Sequence, residues 1–382
     1  MRKILYVFLG LAAFLTSCEE SSYDLTQGQP IYLSAVLNEI PLTKVPFQGS
    51  APTTSNPLNV DVWASTTEKV FLHETDGQGN PLDGRHGNTN KVSVHTTGHF
   101  QSGAPQLLSQ AVYPPPREGV AGSYTADPVY FVAMHPQSNG VKAWGTDDGT
   151  KAFYTFTGCE DLMFAPQVEG AYDTSSNVGQ VVTDSPVLSF KHLLTRITVK
   201  MGIELEDGEN LDDVKAAWGN VEDLQIQSYN SAGYGVNMNK VSLDLSKGSE
   251  SEFSYENDVT FSGIQGGSMG FYKIGTDNSF PGDGGYTLTE KIDSVAYVMC
   301  APVVATKENH EYVIIVSTKN RGVHELKFDL EKTSDLDEEG VGSTMGKHFV
   351  VTLKFNKGRA VAMVSNVTEW MNGGYGTGNI ED

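Results

Sequence analysis

Residues 187–201, with the sequence VLSFKHLLTRITVKM, decide the fold class of this 382-residue chain. The first part of the stretch is ambiguous, because Phe190, Leu193 and Ile197 recur at the spacing of a helical face. From Leu193 onward two kinds of residue alternate at a period of two, with Thr195, Ile197, Val199 and Met201 on one side and Arg196, Thr198 and Lys200 on the other. Such alternation is typical of a strand with one face in a core, so we predict a β-strand here.

Other segments repeat this pattern along the chain. Alternation predicts strands at residues 31–39, 59–65 and 128–136, and a closing hairpin formed by residues 349–355 and 360–370. The 40 glycines and 16 prolines, together with few charged windows of helical character, also favour β structure. We therefore predict a mainly β protein.

One short helix is predicted at residues 211–218. Asn210 stands just before it and is a favoured N-cap residue, and Asp213 occupies the third helical position. Because no other helix is interposed between the strands, their spacing favours sandwiches over a parallel α/β sheet.

The predicted strands divide into two groups of about seven. A polar stretch at residues 172–185 has few apolar side chains and is the best candidate for a link between them. We therefore predict an N-terminal β-sandwich domain at residues 31–185 and a C-terminal one at residues 186–382.

The N-terminus has the pattern of an export signal. Two basic residues precede apolar residues 4–15, a run too short for a bilayer span, which needs about 20 residues. The sequence LTSC at residues 15–18 is similar to a bacterial lipobox, in which the cysteine is acylated. We expect cleavage between Ser17 and Cys18 and lipid attachment to Cys18, with an ordinary signal peptide and a chance cysteine as the alternative.

This interpretation assigns residues 1–17 to the signal peptide and residues 18–30 to a polar tether. Glu19 and Glu20 directly follow the lipobox cysteine. Acidic residues at that place resemble an export signal that moves lipoproteins to the outer face of the outer membrane. We therefore expect a lipid-anchored, surface-exposed protein of the outer membrane.

Net charge and cysteine content argue against several classes of protein. The formal net charge of −21 argues against a nucleic-acid partner and against docking on anionic lipid through a basic patch. Three cysteines are too few for a disulfide scaffold. Two separately buried thiols at Cys159 and Cys300 are favoured over a bridge between them, which the sequence leaves open.

The sequence contains no recognisable catalytic, phosphate-binding or paired-cysteine motif. The histidines at residues 73–99 and the carboxylates at residues 335–340 fit no compact metal-ligand frame. The glycine-rich residues 373–378 lack the strand and helix that a phosphate loop requires. Asp293-Ser294-Val295 matches a minimal O-glycosylation sequon and leaves glycosylation of Ser294 open. We predict no enzyme activity, no cofactor and no metal.

Several loose motifs, taken together, resemble the fimbrillin family of type V pilins. They are TKVPF at residues 43–47, FKHLLTRITV at residues 190–199, GKHFVVTL at residues 346–353 and VSNVTEW at residues 364–370. The resemblance implies two transthyretin-like β-sandwich domains in tandem and export as a lipoprotein. It also implies assembly into pili with other pilin subunits, and adhesion to a host or bacterial receptor.

In that family a trypsin-like protease removes the N-terminal segment with its first strand, and a neighbour's strand takes the vacant place. The resemblance puts the cut between Lys44 and Val45, and makes residues 31–39 the strand that is lost. The family residue before the cut is typically Arg, so cleavage after Lys44 and retention as an uncut anchored subunit both stay open.

Two further expectations complete the sequence interpretation. The alternative function is a monomeric surface glycan-binding lipoprotein, for which Trp144 is the tryptophan that looks loop-borne. Residues 371–382 are glycine-rich, without apolar alternation, and would make a poor donor strand. This favours a tip-like or accessory subunit over a stalk repeat.

Overall fold

The computed structural model describes residues 29–37, 58–65, 68–69, 71, 93–100, 106–113, 117–118, 124–125, 127–139, 144–146, 150–171, 186–229, 238–255, 257–263, 267–302, 304–305, 311–329, 342–343 and 345–369. Among these residues no helix is long and apolar enough to cross a membrane.

Strands dominate the described residues. In chain order they are β1 (Gln29–Leu37), β2 (Leu58–Ser65), β3 (Ser93–Phe100), β4 (Gln106–Tyr113), β5 (Arg117–Glu118), β6 (Tyr124–Thr125), β7 (Pro128–His135), β8 (Gly145–Thr146), β9 (Lys151–Thr155), β10 (Met163–Ala171), β11 (Val187–His192), β12 (Thr195–Ile203), β13 (Val221–Tyr229), β14 (Lys240–Asp244), β15 (Val259–Ser262), β16 (Met269–Gly270), β17 (Tyr272–Lys273), β18 (Asp293–Cys300), β19 (Val304–Ala305), β20 (Glu311–Thr318), β21 (Gly322–Asp329), β22 (Gly342–Ser343), β23 (Lys347–Phe355) and β24 (Ala360–Glu369). The helix α1 (Leu211–Trp218) and a 3-10 turn at Leu245–Lys247 interrupt them.

A seven-stranded sheet in the order β3-β2-β7-β10-β11-β1-β4 forms the N-terminal part. Its end strands β3 and β4 contact each other, so the sheet curls around one of its faces. That face buries a cluster that we call the N-terminal core. It comprises Leu33, Leu58, Val60, Val62, Ala64, Val129, Phe131, Ala133, Met163, Ala165, Leu188 and Phe190.

The opposite face of this sheet is also covered. Alternate residues of β2 point to opposite sides, so that Val62 lies in the N-terminal core whereas Trp63 belongs to the larger hydrophobic cluster. A four-stranded sheet in the order β15-β14-β9-β8 contributes Tyr154 and Val241 to that second cluster. Strands buried on both faces read as continuous apolar runs, which is the pattern of Pro128–His135.

The C-terminal part contains a five-stranded sheet, β17-β18-β12-β23-β24, and a four-stranded sheet, β16-β13-β20-β21. Apolar side chains from both sheets share the larger cluster, and the rings of Tyr312 on β20 and Phe349 on β23 lie 6.2 Å apart. Alternating residues of β23 are fully buried at Phe349, Val351, Leu353 and Phe355. The sequence prediction of a mainly β protein is confirmed.

The predicted helix is confirmed in detail. It spans Leu211–Trp218, the side chain of Asn210 accepts a hydrogen bond from the backbone N–H of Asp213 at 2.8 Å, and Gly219 ends it at a φ of 68°. That positive φ is accessible to glycine without strain. Val214 and Trp218 are the buried residues of this helix.

The stretch 187–201 forms two strands rather than one. β11 ends at His192, the buried residues Leu193 and Leu194 follow, and β12 begins at Thr195. β11 pairs with β10 and β1 in the N-terminal sheet, whereas β12 is a central strand of the C-terminal one. Pairing therefore crosses the boundary predicted at residues 185/186, and it crosses again where β9 pairs with β14.

Candidate functional site

β1 lies between β11 and β4, and each of these neighbours pairs with a different half of β1. Residues 34–37 pair in parallel with residues 187–190 of β11, and residues 29–33 pair antiparallel with β4. A bulge between Pro30 and Ile31 interrupts the second ladder. The first described strand is therefore an internal strand of the sheet, with a neighbour on each side.

The described side chains of β1 alternate between core and surface. Leu33 is 0% exposed in the N-terminal core, and Ala35 packs against the same core. Ser34 between them is half-buried, and its backbone N–H donates to the carbonyl oxygen of Pro186 at 3.0 Å. β1 thus closes the core with one face and completes the backbone ladder with its edges.

Apolar side chains of β11 flank β1 in the sheet. Leu188 and Phe190 of β11 are 0% and 1% exposed, and they stand beside Ala35 and Leu37 in the parallel register. Removing β1 would uncover these side chains and leave N–H and C=O groups of β11 and β4 without a ladder partner. A sheet opened in this way is a template for another extended strand.

β11 has a much shorter attachment on its other side. Within the described pairings, the ladder between β10 and β11 consists of Met163 with His192 and Phe164 with Lys191. Residues 187–190 therefore depend on β1 for their ladder, whereas residues 191–192 do not.

Backbone hydrogen bonds fix the short connection between β11 and β12. The N–H of Leu193 donates to the carbonyl oxygen of Leu162 at 2.8 Å, and the N–H of Gly346 donates to that of Leu194 at 3.1 Å. Both leucines are 0% exposed. The end of β11, the strand beside β1, is thus joined directly to the segment that leads into β23 of the C-terminal sheet.

Charged groups are buried at this junction. Nδ1 of His192 lies 2.8 Å from Oδ1 of Asp161, and each side chain is only 5% exposed. Arg196, at the start of β12, is 8% exposed, and burial lowers the pKa of its guanidinium to about 10 although the nearby Asp161 carboxylate opposes that shift. Arg196 remains charged at neutral pH, so Asp161 has a cationic neighbour at the start of β12.

His348 on β23 is the neighbouring histidine in this region. Burial and the charge of Arg196 lower the pKa of its imidazole to about 3, so the ring is neutral at physiological pH. Its Nε2 lies 2.9 Å from the hydroxyl oxygen of Thr198. The imidazole therefore adds a neutral polar contact between β12 and β23 and no positive charge.

The predicted processing residues lie outside the described part of the chain. These are Ser17 and Cys18 at the lipobox and Lys44 and Val45 at the expected cut. Trp370, the acidic turn at residues 335–340 and the glycine-rich tail lie outside it as well. Ser294 is described and exposed on β18.

The tryptophan expected on the surface is buried instead. Trp144 is 5% exposed, its Nε1–H donates to the carbonyl oxygen of Pro136 at 3.0 Å, and its ring lies 5.0 Å from that of Tyr154. Trp144 directly precedes the short strand β8, which pairs with β9 in the four-stranded sheet. Trp144 thus lies outside the strands, as its sequence suggested, but its ring is buried and cannot serve as a platform, whereas Trp63 lies in the core as predicted.

In the described part of the chain, cysteine and metal chemistry add no further site. Cys159 and Cys300 are both free thiols, half-buried and buried respectively. Among the residues that the structure describes, no group of three or more His, Cys, Asp or Glu side chains could hold a metal ion.

We expect the thiol of Cys300 to resist modification in the folded protein. Burial raises its pKa from 9.0 to about 12, which lowers its thiolate fraction at pH 8 about 1,000-fold. Iodoacetamide labelling at pH 8, followed by peptide mass spectrometry, should modify Cys300 only after denaturation. A Cys300→Ser variant assigns the signal, and rapid labelling of Cys300 in native protein would contradict this prediction.

No protein-family model and no curated protein matches the chain. Among solved structures it is similar to a protein from Bacteroides uniformis ATCC 8492 assigned to cell adhesion, with a TM-score of 0.45, 15% identity, and coverage of 90% of this chain and 98% of that chain. It is also similar to a fimbrial protein from Bacteroides vulgatus ATCC 8482, with a TM-score of 0.40, 13% identity, and coverage of 90% and 100%. The fimbrial anchor protein Mfa2 from Porphyromonas gingivalis matches with a TM-score of 0.35, 12% identity, and coverage of 90% and 98%.

Structural neighbours of this chain thus include Bacteroidales fimbrial and cell-adhesion proteins. They are the kind of protein that the sequence resemblance names. Because their sequence identities are at most 15% in these three cases, we base the proposal below on the strands and motifs of this chain.

Proposed function

We propose that the chain is a structural or adhesive subunit of a cell-surface pilus, assembled with other pilin subunits by donor-strand complementation. The observation that carries the proposal is the place of β1. It is the first described strand, it lies 7 residues before Lys44 in the sequence, and it fills an internal position between β11 and β4. A cut after Lys44 would separate it from the rest of the fold.

The groove has the properties that strand exchange requires. It would offer two unpaired strand edges, and the apolar side chains of Leu188 and Phe190 would flank the incoming strand. An incoming strand would gain backbone hydrogen bonds from the edges and specificity from alternate side chains that enter the core. The fully buried Leu33 marks the deepest described position for such a side chain.

Export as a lipoprotein forms part of the proposal. The lipobox places acylation at Cys18, and the acidic pair that follows favours display on the outer face of the outer membrane. A single lipid-modified segment of this kind would hold the precursor at the surface until processing releases it. The proposal also includes the two tandem transthyretin-like domains that the family resemblance implies.

We further propose a tip-like or accessory role. β24 (Ala360–Glu369) pairs along its length with β23 in its own fold, as the sequence predicts. Beyond it the tail at residues 371–382 is glycine-rich and offers few apolar side chains to a groove. Such a subunit would accept a partner strand more readily than it donates one.

The glycan-binding alternative has no specific observation in its favour. Its candidate aromatic, Trp144, is buried against Tyr154 and cannot present a ring face to a sugar. Among the described tryptophans, Trp63 and Trp218 are each 1% exposed as well.

Sequencing the N-terminus of the protein isolated from assembled pili tests the proposal. We expect the chain to begin at Val45, because removal of β1 is what opens the groove. A Lys44→Gln variant should keep its acylated Cys18 and fail to enter polymers on immunoblots.

A matched control is Lys291→Gln, which neutralises an exposed lysine whose side chain is 79% accessible. This variant should be processed and incorporated normally. Assembled pili whose subunits still begin at the acylated Cys18 would contradict the proposal.

A further inference from the structure

We propose that Asp161 and His192 act as an anchor that keeps β11 in register while the β1 position is empty. The inference rests on the proposed function and assigns positioning residues to strand capture. Neither side chain touches the incoming strand in this scheme. They would act through β11, the strand that forms one wall of the groove.

The first observation is the unequal attachment of β11. Its residues 187–190 are paired with β1, and its residues 191–192 are paired with β10. When β1 leaves, the first four residues lose their ladder partner, and the last two keep theirs. The boundary between mobile and fixed parts of the groove wall should therefore fall at Lys191.

The second observation concerns the turn that precedes Asp161 and the hydrogen bonds that fix it. In this turn Glu160 accepts hydrogen bonds from the backbone N–H groups of Thr157 at 2.7 Å and Gly158 at 3.1 Å. The carbonyl oxygen of Gly158 in turn accepts from the N–H of Met299 on β18 at 2.8 Å. The carboxylate is therefore fixed to the C-terminal sheet, which does not depend on β1.

The third observation is the burial of the contact. The Asp161 and His192 side chains are each 5% exposed, and Leu193 and Leu194 beyond them are 0% exposed. A hydrogen bond excluded from water is costly to break, because each separated polar group would remain desolvated. Opening that spreads along β11 from the groove should stop at this pair.

A neighbouring ion pair provides a contrast on the same strand. Nζ of Lys191 lies 3.3 Å from Oε1 of Glu250, but these side chains are 42% and 47% exposed. Exposed pairs of this kind contribute little to stability. Glu250 therefore supplies a matched control for the buried anchor.

Capture should then depend on how far the empty groove opens. With the anchor intact, the C-terminal end of β11 stays fixed. An incoming strand then has to order only residues 187–190 of β11 as it binds. Without the anchor, the opening would extend through Leu193, and more of the wall would have to fold during binding.

The test uses the full chain with a specific protease site inserted between β1 and β2. After cleavage, mild urea releases the N-terminal fragment, and the urea is then removed. Capture of a fluorescent peptide with the sequence of residues 29–37 is followed by anisotropy, and hydrogen exchange is measured on the empty protein.

In the empty wild-type protein we expect fast exchange at residues 187–190 and protection at residues 191–194. Asp161→Ala and His192→Leu should lose the second protection and capture the peptide about tenfold more slowly, because a longer disordered segment must fold on binding. Glu250→Gln should remain within about twofold of wild type, as expected for an exposed pair.

Uniform exchange across residues 187–194 in the empty wild-type protein would overturn the anchor, and so would wild-type capture rates in both anchor variants. Because pairing with β10 by itself protects residues 191–192, the variants decide the matter. Where Asp161→Ala and His192→Leu fail to fold, the near-isosteric Asp161→Asn, which removes the carboxylate charge, takes their place, and wild-type protection and capture in that variant would overturn the anchor. If the empty wild-type protein captures no peptide, strand complementation itself is wrong, and the difference in exchange between wild type and the anchor variants still reports on the anchor.

Discussion

Replacing Trp218 with alanine should lower the thermal unfolding midpoint by about 10 °C, since truncating a buried tryptophan costs about 3 to 5 kcal/mol. Trp218 ends α1 and is 1% exposed. Its ring lies 5.1 Å from that of Phe355 and 4.9 Å from that of His324, both in edge-to-face geometry. Its Nε1–H also donates to the carbonyl oxygen of Asn356 at 2.6 Å.

The loss should be large because several elements meet at this ring. The guanidinium of Arg321 lies 4.4 Å from the indole and donates to the carbonyl oxygens of Gly358, at 3.1 Å, and Lys357. Removing the indole leaves a cavity and one buried carbonyl oxygen without this donor. The turn that joins β23 to β24 would lose its buried contact with the helix, and the exposed ion pair between Lys357 and Asp213 would remain.

Two variants calibrate this result in differential scanning calorimetry. Trp218→Phe keeps an aromatic ring but has no N–H group, so its midpoint should lie between those of wild type and Trp218→Ala. Leu205→Ala removes a side chain that is 38% exposed and should change the midpoint by only about 1 °C. A similarly small shift in Trp218→Ala would contradict the packing described here.

The sequence predicted the elements whose signals are local. Asn210 and Asp213 identified α1 because capping is a contact between residues three apart. Alternation identified β23 and β24, and the short turn between them implied their antiparallel pairing. Each of these signals lies within a few residues of the structure that it specifies.

Long-range pairing was harder to predict, because nothing local encodes it. β1 pairs in parallel with β11, whose residues lie about 150 positions later in the sequence. The pairing of β9 with β14 joins segments that the sequence assigned to different domains. Strands buried on both faces also lack the alternation from which a partner or a sheet face could be inferred.

The candidate site was predicted in part. The resemblance to fimbrillins marked the first strand as the one lost on processing, and β1 occupies an internal place in the sheet. The buried contact between Asp161 and His192 was missed, because neither residue stands in a recognisable motif. The burial of Trp144 was not predicted, because its neighbours in the sequence are polar and give no sign of the sheet that covers it.

Leu33→Asp should detach β1 without any proteolytic cut. Leu33 is 0% exposed in the N-terminal core, so the substitution removes an apolar contact and places a carboxylate among apolar side chains. The lost burial and the desolvation of the charge together amount to on the order of 5 kcal/mol. A strand held at its two edges by separate short ladders cannot absorb that cost, and we expect it to leave the groove.

The matched control places the same charge one position further along. Ser34 is half-buried on the opposite side of the strand, and its backbone N–H can still donate to Pro186 after substitution. Ser34→Asp should therefore keep β1 in place. Comparing the two variants separates the effect of added charge from the effect of charge in the core.

Hydrogen exchange and peptide binding measure the outcome. In uncut Leu33→Asp, the amides of β1 and of residues 187–190 should lose protection, and the protein should bind a peptide with the wild-type sequence of residues 29–37. Ser34→Asp and wild type should do neither, because their own β1 occupies the groove. If Leu33→Asp retains full protection of β1, burial of Leu33 does not hold the strand, and a cut after Lys44 would then leave the released segment in its groove.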